Sequence, residues 1–127
     1  MQLNNTNKIQ TLLNNAVSNK TFSTALIGDY ILDDIVVFPE NVTFILDRVN
    51  LIVKNNGQFV CENAKNVRIV AINNTIIILS EANADNNFIK FDDVENFEIS
   101  SINFVNFNNN ISIKSSTKGK LFNIIYK

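Results

Sequence analysis

The run KNVRIV, Lys65 to Val70, is nearly repeated by ENVTFI at Glu40 to Ile45 and by ENFEIS at Glu95 to Ser100. A fourth copy begins with KLFNII at Lys120. Aligned by letter, Val42, Val67, Phe97 and Phe122 correspond, as do Phe44, Ile69, Ile99 and Ile124, at separations of 25, 30 and 25 residues. Repeats of this length, made of short strands and turns with no helix between them, mark a solenoid with one coil per repeat. The middle copy supplies three strands, NVRIVA, NTIIIL and NFIKFD. Successive coils stack about 4.8 Å apart, each strand pairing in parallel with its equivalent one repeat on. The five additional residues of the second interval are assigned to one lengthened loop, SEANADNN at Ser80 to Asn87.

Alternation along the repeated strand sends Val42, Phe44 and Leu46 inward, with Val67, Ile69 and Ala71 above them, then Phe97, Ile99 and Ser101. Before each column stands an asparagine, Asn41, Asn66 and Asn96. Asparagine tolerates the left-handed backbone of a tight turn, and its amide can bond its copy in the next coil. In the fourth copy Leu121 takes this place, so the ladder is expected to end there. Two other readings of the pattern are a β-sandwich with an accidental repeat and a disordered Asn-rich chain. Ahead of the repeats, Ile9, Leu12, Leu13, Ala16 and Val17 fall at helical spacing, and Thr6 or Asn7 offers an N-cap. The expected fold is all-β: a right-handed parallel β-helix of about three and a half coils over residues 24–127, with a short capping helix over residues 7–18. The handedness follows the general rule for parallel crossovers. All 127 residues form one domain.

Composition narrows the function classes. Eleven basic and twelve acidic residues leave a net charge of −1, scattered without a basic patch, so no nucleic-acid partner is indicated. No apolar run approaches a membrane span, no signal peptide is visible, and location is left open. One cysteine, Cys61, and no histidine exclude a His/Cys zinc site, and no cofactor motif is present. Asparagine makes up about a fifth of the chain, which with abundant Ile, Lys and Phe reflects an A/T-rich coding sequence. The sequons at Asn4, Asn41, Asn73 and Asn110 are therefore given little weight.

The segment TALIGDYILDDIVVFPENVTFILDRVNLIV, Thr24 to Val53, resembles the opening of the pectin-lyase-like right-handed parallel β-helix superfamily, and polygalacturonase-like glycoside hydrolases in particular. There a capping helix precedes a G-x-Y-x-(I/L) strand and then P-x-N-V-T-(L/F)-I-L. The resemblance covers residues 7 to about 113 and implies a three-sided coil with polysaccharide lying in a groove along one outer face. The catalytic motifs of those hydrolases are not matched: there is no histidine, and neither Arg48 nor Arg68 has a lysine two residues on. Asp92-Asp93 and Asp33-Asp34 are the only adjacent carboxylate pairs. Adjacent residues on a strand point to opposite faces, and FDDVEN is expected at a turn, so the first pair reads as solvated turn residues rather than an acid/base couple. Asp92, Glu95 and Glu98 are too interspersed with Lys and Asn to read as a calcium cluster.

One outward row, Thr43, Arg68, Glu98 and Asn123, is the candidate substrate-binding strip, with Arg68 one strand from Glu98. Its plainer reading is a cross-strand ion pair. The next outward row, Ile45, Val70, Ser100 and Ile125, is mostly apolar. Two functions are expected from these residues. The first is the N-terminal portion of a carbohydrate-active, hydrolase- or lyase-like β-helix, without catalysis of its own. The alternative is a non-catalytic binding or structural module, of adhesin or phage-tail kind, that self-associates through an uncapped C-terminal edge. The fourth copy ends after one strand, which is read as a fragment, a decayed gene product or an edge covered by a partner.

Overall fold

The computed structural model describes residues 6–80, 87–107 and 110–127. One helix, α1 (Thr6–Ser18), leads into ten strands: β1 (Ser23–Leu32), β2 (Ile35–Val37), β3 (Thr43–Val53), β4 (Gln58–Ile72), β5 (Ile76–Leu79), β6 (Ile89–Ser100), β7 (Asn103–Val105), β8 (Ile111–Lys114), β9 (Thr117–Phe122) and β10 (Ile125–Tyr126). Every strand pairing among the described residues is parallel. The chain is a β-solenoid of about four turns, as the repeat predicts. β1 and β2 build a coil ahead of the first recognisable copy. Ser23 and Ala25 sit opposite Thr43 and Ile45 without the Asn-Val marker that identifies later coils.

Three faces make each coil, and like residues meet like along them. On the first, Phe44, Ile69, Ile99 and Leu121 form an inward column. Tyr30, Leu51, Ile77, Phe104 and Tyr126 form one on the second. On the third, Val36, Phe59, Ile89 and Ile111 do the same. Phenylalanine adds a spine along the interior, with ring centroids 6.1 Å apart for Phe44 and Phe59, 5.2 Å for Phe59 and Phe88, and 5.4 Å for Phe88 and Phe104. These tilted and edge-on contacts add about 0.5–1.5 kcal/mol each to the burial of the rings.

The corners are made by left-handed residues at equivalent places in successive coils. Asn41, Asn66, Asn96 and Lys118 have φ of 65°, 58°, 64° and 57°. Asn63, Asp93 and Ser115 form a second such column with φ of 50°, 57° and 52°. Short polar side chains bear this conformation at least cost. The expected ladder is present: Asn66 donates from Nδ2 to Asn41 Oδ1 at 3.0 Å, and Asn96 donates to Asn66 Oδ1 at 2.7 Å. It does not pass to Leu121. Lys118 occupies the fourth position.

That difference reflects a register correction. Gly119, not Phe122, lies opposite Phe97, and Leu121, not Ile124, lies opposite Ile99. The last interval is 22 residues, as the Val94–Ser116 hydrogen bond also spans. Letter matching paired phenylalanine with phenylalanine, whereas the space opposite Phe97 is filled by Phe97 itself. Ser101 is also misplaced by the alternation rule: it is an exposed corner residue with φ of 65°, and Ile102 points inward instead. The extra residues of the second interval are divided. Leu46 faces Ala71, Leu51 faces Ile77 and Phe59 faces Ile89, so one residue enters at the Asn73-Asn74 corner and the remainder between β5 and β6. Residues 81–86 of that expected loop lie outside the described residues, as does the sequon at Asn4. At the corner, the buried Thr75 hydroxyl donates to Leu46 O at 2.9 Å and accepts from Val49 N at 3.3 Å, satisfying backbone groups that the insertion separates.

Helix α1 closes the first coil. Ile9, Leu13 and Ala16 are buried and Leu12 packs against the core, while Val17, expected on the same face, is 39% exposed. Thr6 Oγ1 donates to Asp33 Oδ1 at 2.8 Å and accepts from Asp33 N at 3.0 Å. Gln10 substitutes for a neighbouring strand: its Nε2 donates to Val37 O at 2.9 Å and its Oε1 accepts from Val37 N at 2.7 Å. Asp33 and Asp34 are thus structural, since Asp34 accepts from Ile35 N at 2.8 Å.

Candidate functional site

Between the two left-handed corners lies a two-residue strip, Ala64-Lys65 in one coil and Val94-Glu95 in the next, with Ser116-Thr117 beyond. Ala64 and Val94 turn inward, and their modest size leaves an indentation along the coil axis. The resulting groove, about 330 Å³, is lined by Glu40, Asn63, Lys65, Asp93, Glu95, Ser115 and Thr117 among others. It crosses four successive coils. Glu95 lies between two ammonium groups, Lys118 Nζ at 3.2 Å and Lys65 Nζ at 3.9 Å.

The candidate row on the first face borders this groove. Thr43 faces Arg68, and Arg68 faces Glu98, as the sequence predicts. Arg68 Nη2 donates to Glu98 Oε2 at 3.0 Å. Asn123 does not belong to the row. Lys120 stands opposite Glu98, and Asn123 has moved to the following corner, where with Asn73, Asn74, Ser101 and Asn103 it lines a separate cleft of about 210 Å³. The adjoining apolar row changes likewise: Ala25, Ile45, Val70 and Ser100 are followed by Phe122, and Ile125 lies on the second face.

The aspartate pair is split. FDDVEN is part of β6, which bends at Asp93 rather than ending in a turn. Asp93 lines the corner groove, while Asp92 faces a shallow depression of about 280 Å³ on the third face, with Gln58, Val60, Lys90 and Lys114. The two carboxylates therefore do not share a site. Glycoside chemistry needs two carboxyl groups flanking one bond, one of them held as an acid by an apolar pocket. In the corner groove Glu40 and Asp93 are exposed and Glu95 is ion-paired. Among the described residues no cluster of three or more His, Cys, Asp or Glu is placed to hold a metal ion. Of the three carboxylates that the sequence did not read as a calcium cluster, Glu95 pairs with lysines, Glu98 pairs with Arg68, and Asp92 lies in the other depression. No helix among the described residues is long and apolar enough to cross a membrane.

The sequence placed Thr43, Arg68 and Glu98 in one row, and did not place Lys65, Ser115, Lys118 and Lys120 beside it. The 22-residue spacing was the signal for the last three, because it puts Ser115 under Asp93, Lys118 under Asn96 and Lys120 under Glu98.

No family model matches the chain. No curated protein matches it either. Among solved structures, it is similar to the crystal structure of a "putative glycosyl hydrolase" from Parabacteroides merdae ATCC 43184, with a TM-score of 0.50 and 11% identity over 96% of this chain and 90% of that one. At that identity the likeness is one of fold alone.

Proposed function

We propose that this chain is a carbohydrate-binding β-solenoid of the glycoside-hydrolase-like kind, which holds a polysaccharide along the groove and polar row of its first face and does not cleave it. The observation that carries the reading is the Arg68–Glu98 pair, 3.0 Å apart and bordered by Lys65, Thr43 and Lys120. It sets donors and acceptors at strand spacing, about 4.8 Å, along a straight polar strip. A guanidinium and a carboxylate side by side offer donors and acceptors to neighbouring hydroxyl groups of a glycan. The resemblance to the pectin-lyase-like superfamily and the fold shared with a glycosyl-hydrolase structure support the substrate class. The exposed or ion-paired state of Glu40, Asp93 and Glu95 supports binding without acid/base cleavage.

Calorimetric titration with soluble polygalacturonate, xylan and β-glucan tests this, alongside an assay for new reducing ends. Saturable binding to at least one polymer, weakened at least tenfold in Arg68→Ala with the fold intact, is the expected result, with no reducing ends released. Absence of binding to all three, or binding indifferent to Arg68, overturns it.

A further inference from the structure

The corner groove and the polar row beside it carry their charge unevenly. Glu95 holds Lys118 Nζ at 3.2 Å and Lys65 Nζ at 3.9 Å, and Glu98 holds Arg68 Nη2 at 3.0 Å. Lys120 stands across the strand from Glu98. Each of these cations therefore has a carboxylate of the protein beside or opposite it. Two carboxylates of the groove have no such counterpart. Among the described residues, no lysine or arginine forms an ion pair with Glu40 or Asp93.

Both are exposed, and the backbone fixes both at the groove. Asp93 is a left-handed corner residue with φ of 57°, in the column of Asn63 and Ser115. Glu40 precedes Asn41, whose N–H donates to Lys65 O at 2.9 Å, so it borders the groove one coil before Lys65. The rest of the polar lining, Asn63, Ser115 and Thr117, is uncharged and offers both donors and acceptors. An anionic polymer lying here would find the cations engaged and would bring its own carboxylates against Glu40 and Asp93. Two like unit charges about 5 Å apart in water change a binding constant about fourfold, so two such encounters at low salt amount to about tenfold.

We propose that the groove selects an uncharged polysaccharide, and that Glu40 and Asp93 are the residues that exclude polyuronates from it. This rests on the glycan-binding reading and narrows its substrate class. Neutral hydroxyl groups meet the amide and hydroxyl lining without a charge to place, while specificity comes from the repulsion built against the charged alternative.

Three matched pairs of polymers separate charge from backbone: polygalacturonate with its methyl ester, and xylan and β-glucan each with its carboxymethyl derivative. The added group lies on the neutral member of the first pair and on the charged member of the others, which separates charge from bulk. Calorimetric titration at about 10 mM salt, where the Debye length is about 30 Å, is expected to show the neutral member bound at least tenfold more tightly in every pair that binds. The preference should shrink at about 1 M salt, where that length is about 3 Å. In E40Q/D93N, its fold checked by circular dichroism, the preference at low salt is expected to fall at least threefold. Equal or tighter binding of the charged members, or a preference that E40Q/D93N leaves unaltered, overturns this proposal while the glycan-binding reading stands. Absence of binding to every polymer overturns both.

Discussion

The tip of the Phe97 ring occupies the space that a β-carbon on Gly119 would need. The two residues face each other across β6 and β9, and the same ring stacks on Phe91 at a centroid distance of 4.4 Å. Glycine in a strand interior weakens it unless something approaches closely, and here the approaching group is a phenyl ring from the coil before. Gly119→Ala should therefore destabilise the last coil by about 1–3 kcal/mol through overpacking. Urea unfolding together with hydrogen exchange of β9 measures this, and Phe97→Leu in the same chain should recover part of the loss. A neutral Gly119→Ala would show that the ring does not need that space.

The same pair explains why the fold was legible in the sequence and its last coil was not. The parallel stack could be read because inward columns such as Phe44, Ile69 and Ile99 keep their character from coil to coil, and because Asn41, Asn66 and Asn96 mark one corner. Where one large side chain fills two layers, its partner shrinks to glycine and letter matching slips. That slip displaced Asn123 and concealed Lys118 and Lys120. Arg68 and Glu98 were legible because they precede it, while the corner groove depends on Ala64 and Val94 turning inward beside left-handed residues, a property of backbone geometry that composition does not carry.

Asn66 performs two tasks: φ of 58°, and an amide that donates to Asn41 and accepts from Asn96. Asn66→Gly keeps the backbone and loses the amide. Asn66→Ala loses the amide and adds the strain of a left-handed alanine, about 1–2 kcal/mol. Exposed amide bonds contribute at the low end of the usual range of about 0.5–1.5 kcal/mol each. Alanine should thus destabilise more than glycine in chemical unfolding. The reverse order would mean that the corner is not fixed by its backbone conformation.

The Arg68–Glu98 pair is solvent-accessible, so its contribution to stability should be small, about 0.2–1 kcal/mol in a double-mutant cycle, and should fall with added salt. Its effect on glycan binding should be larger than its effect on folding. Thermal melts and titrations of Arg68→Ala, Glu98→Ala and the double variant separate the two. A stability coupling well above this range with unaltered binding would make the pair a structural strut only.

Cys61 is buried on the third face, and burial, reinforced by the negative charges of Glu40 and Glu62, pushes its thiol up from 9.0 to about 12. The thiolate is the reactive species, so at pH 8 the native chain should be inert to a disulfide reagent and the unfolded chain fully reactive. The linked effect on stability has a definite sign. Below pH 9 the thiol is protonated in both states and contributes no pH dependence. Between 9 and about 12 the unfolded chain releases this proton while the folded chain retains it, so stability declines as pH rises. Cys61→Ala isolates the thiol: it should lower stability while flattening the alkaline slope. Parallel slopes for the two proteins between pH 9 and 11 would mean that the folded thiol ionises as easily as the unfolded one, and that the third face is open to water at Cys61.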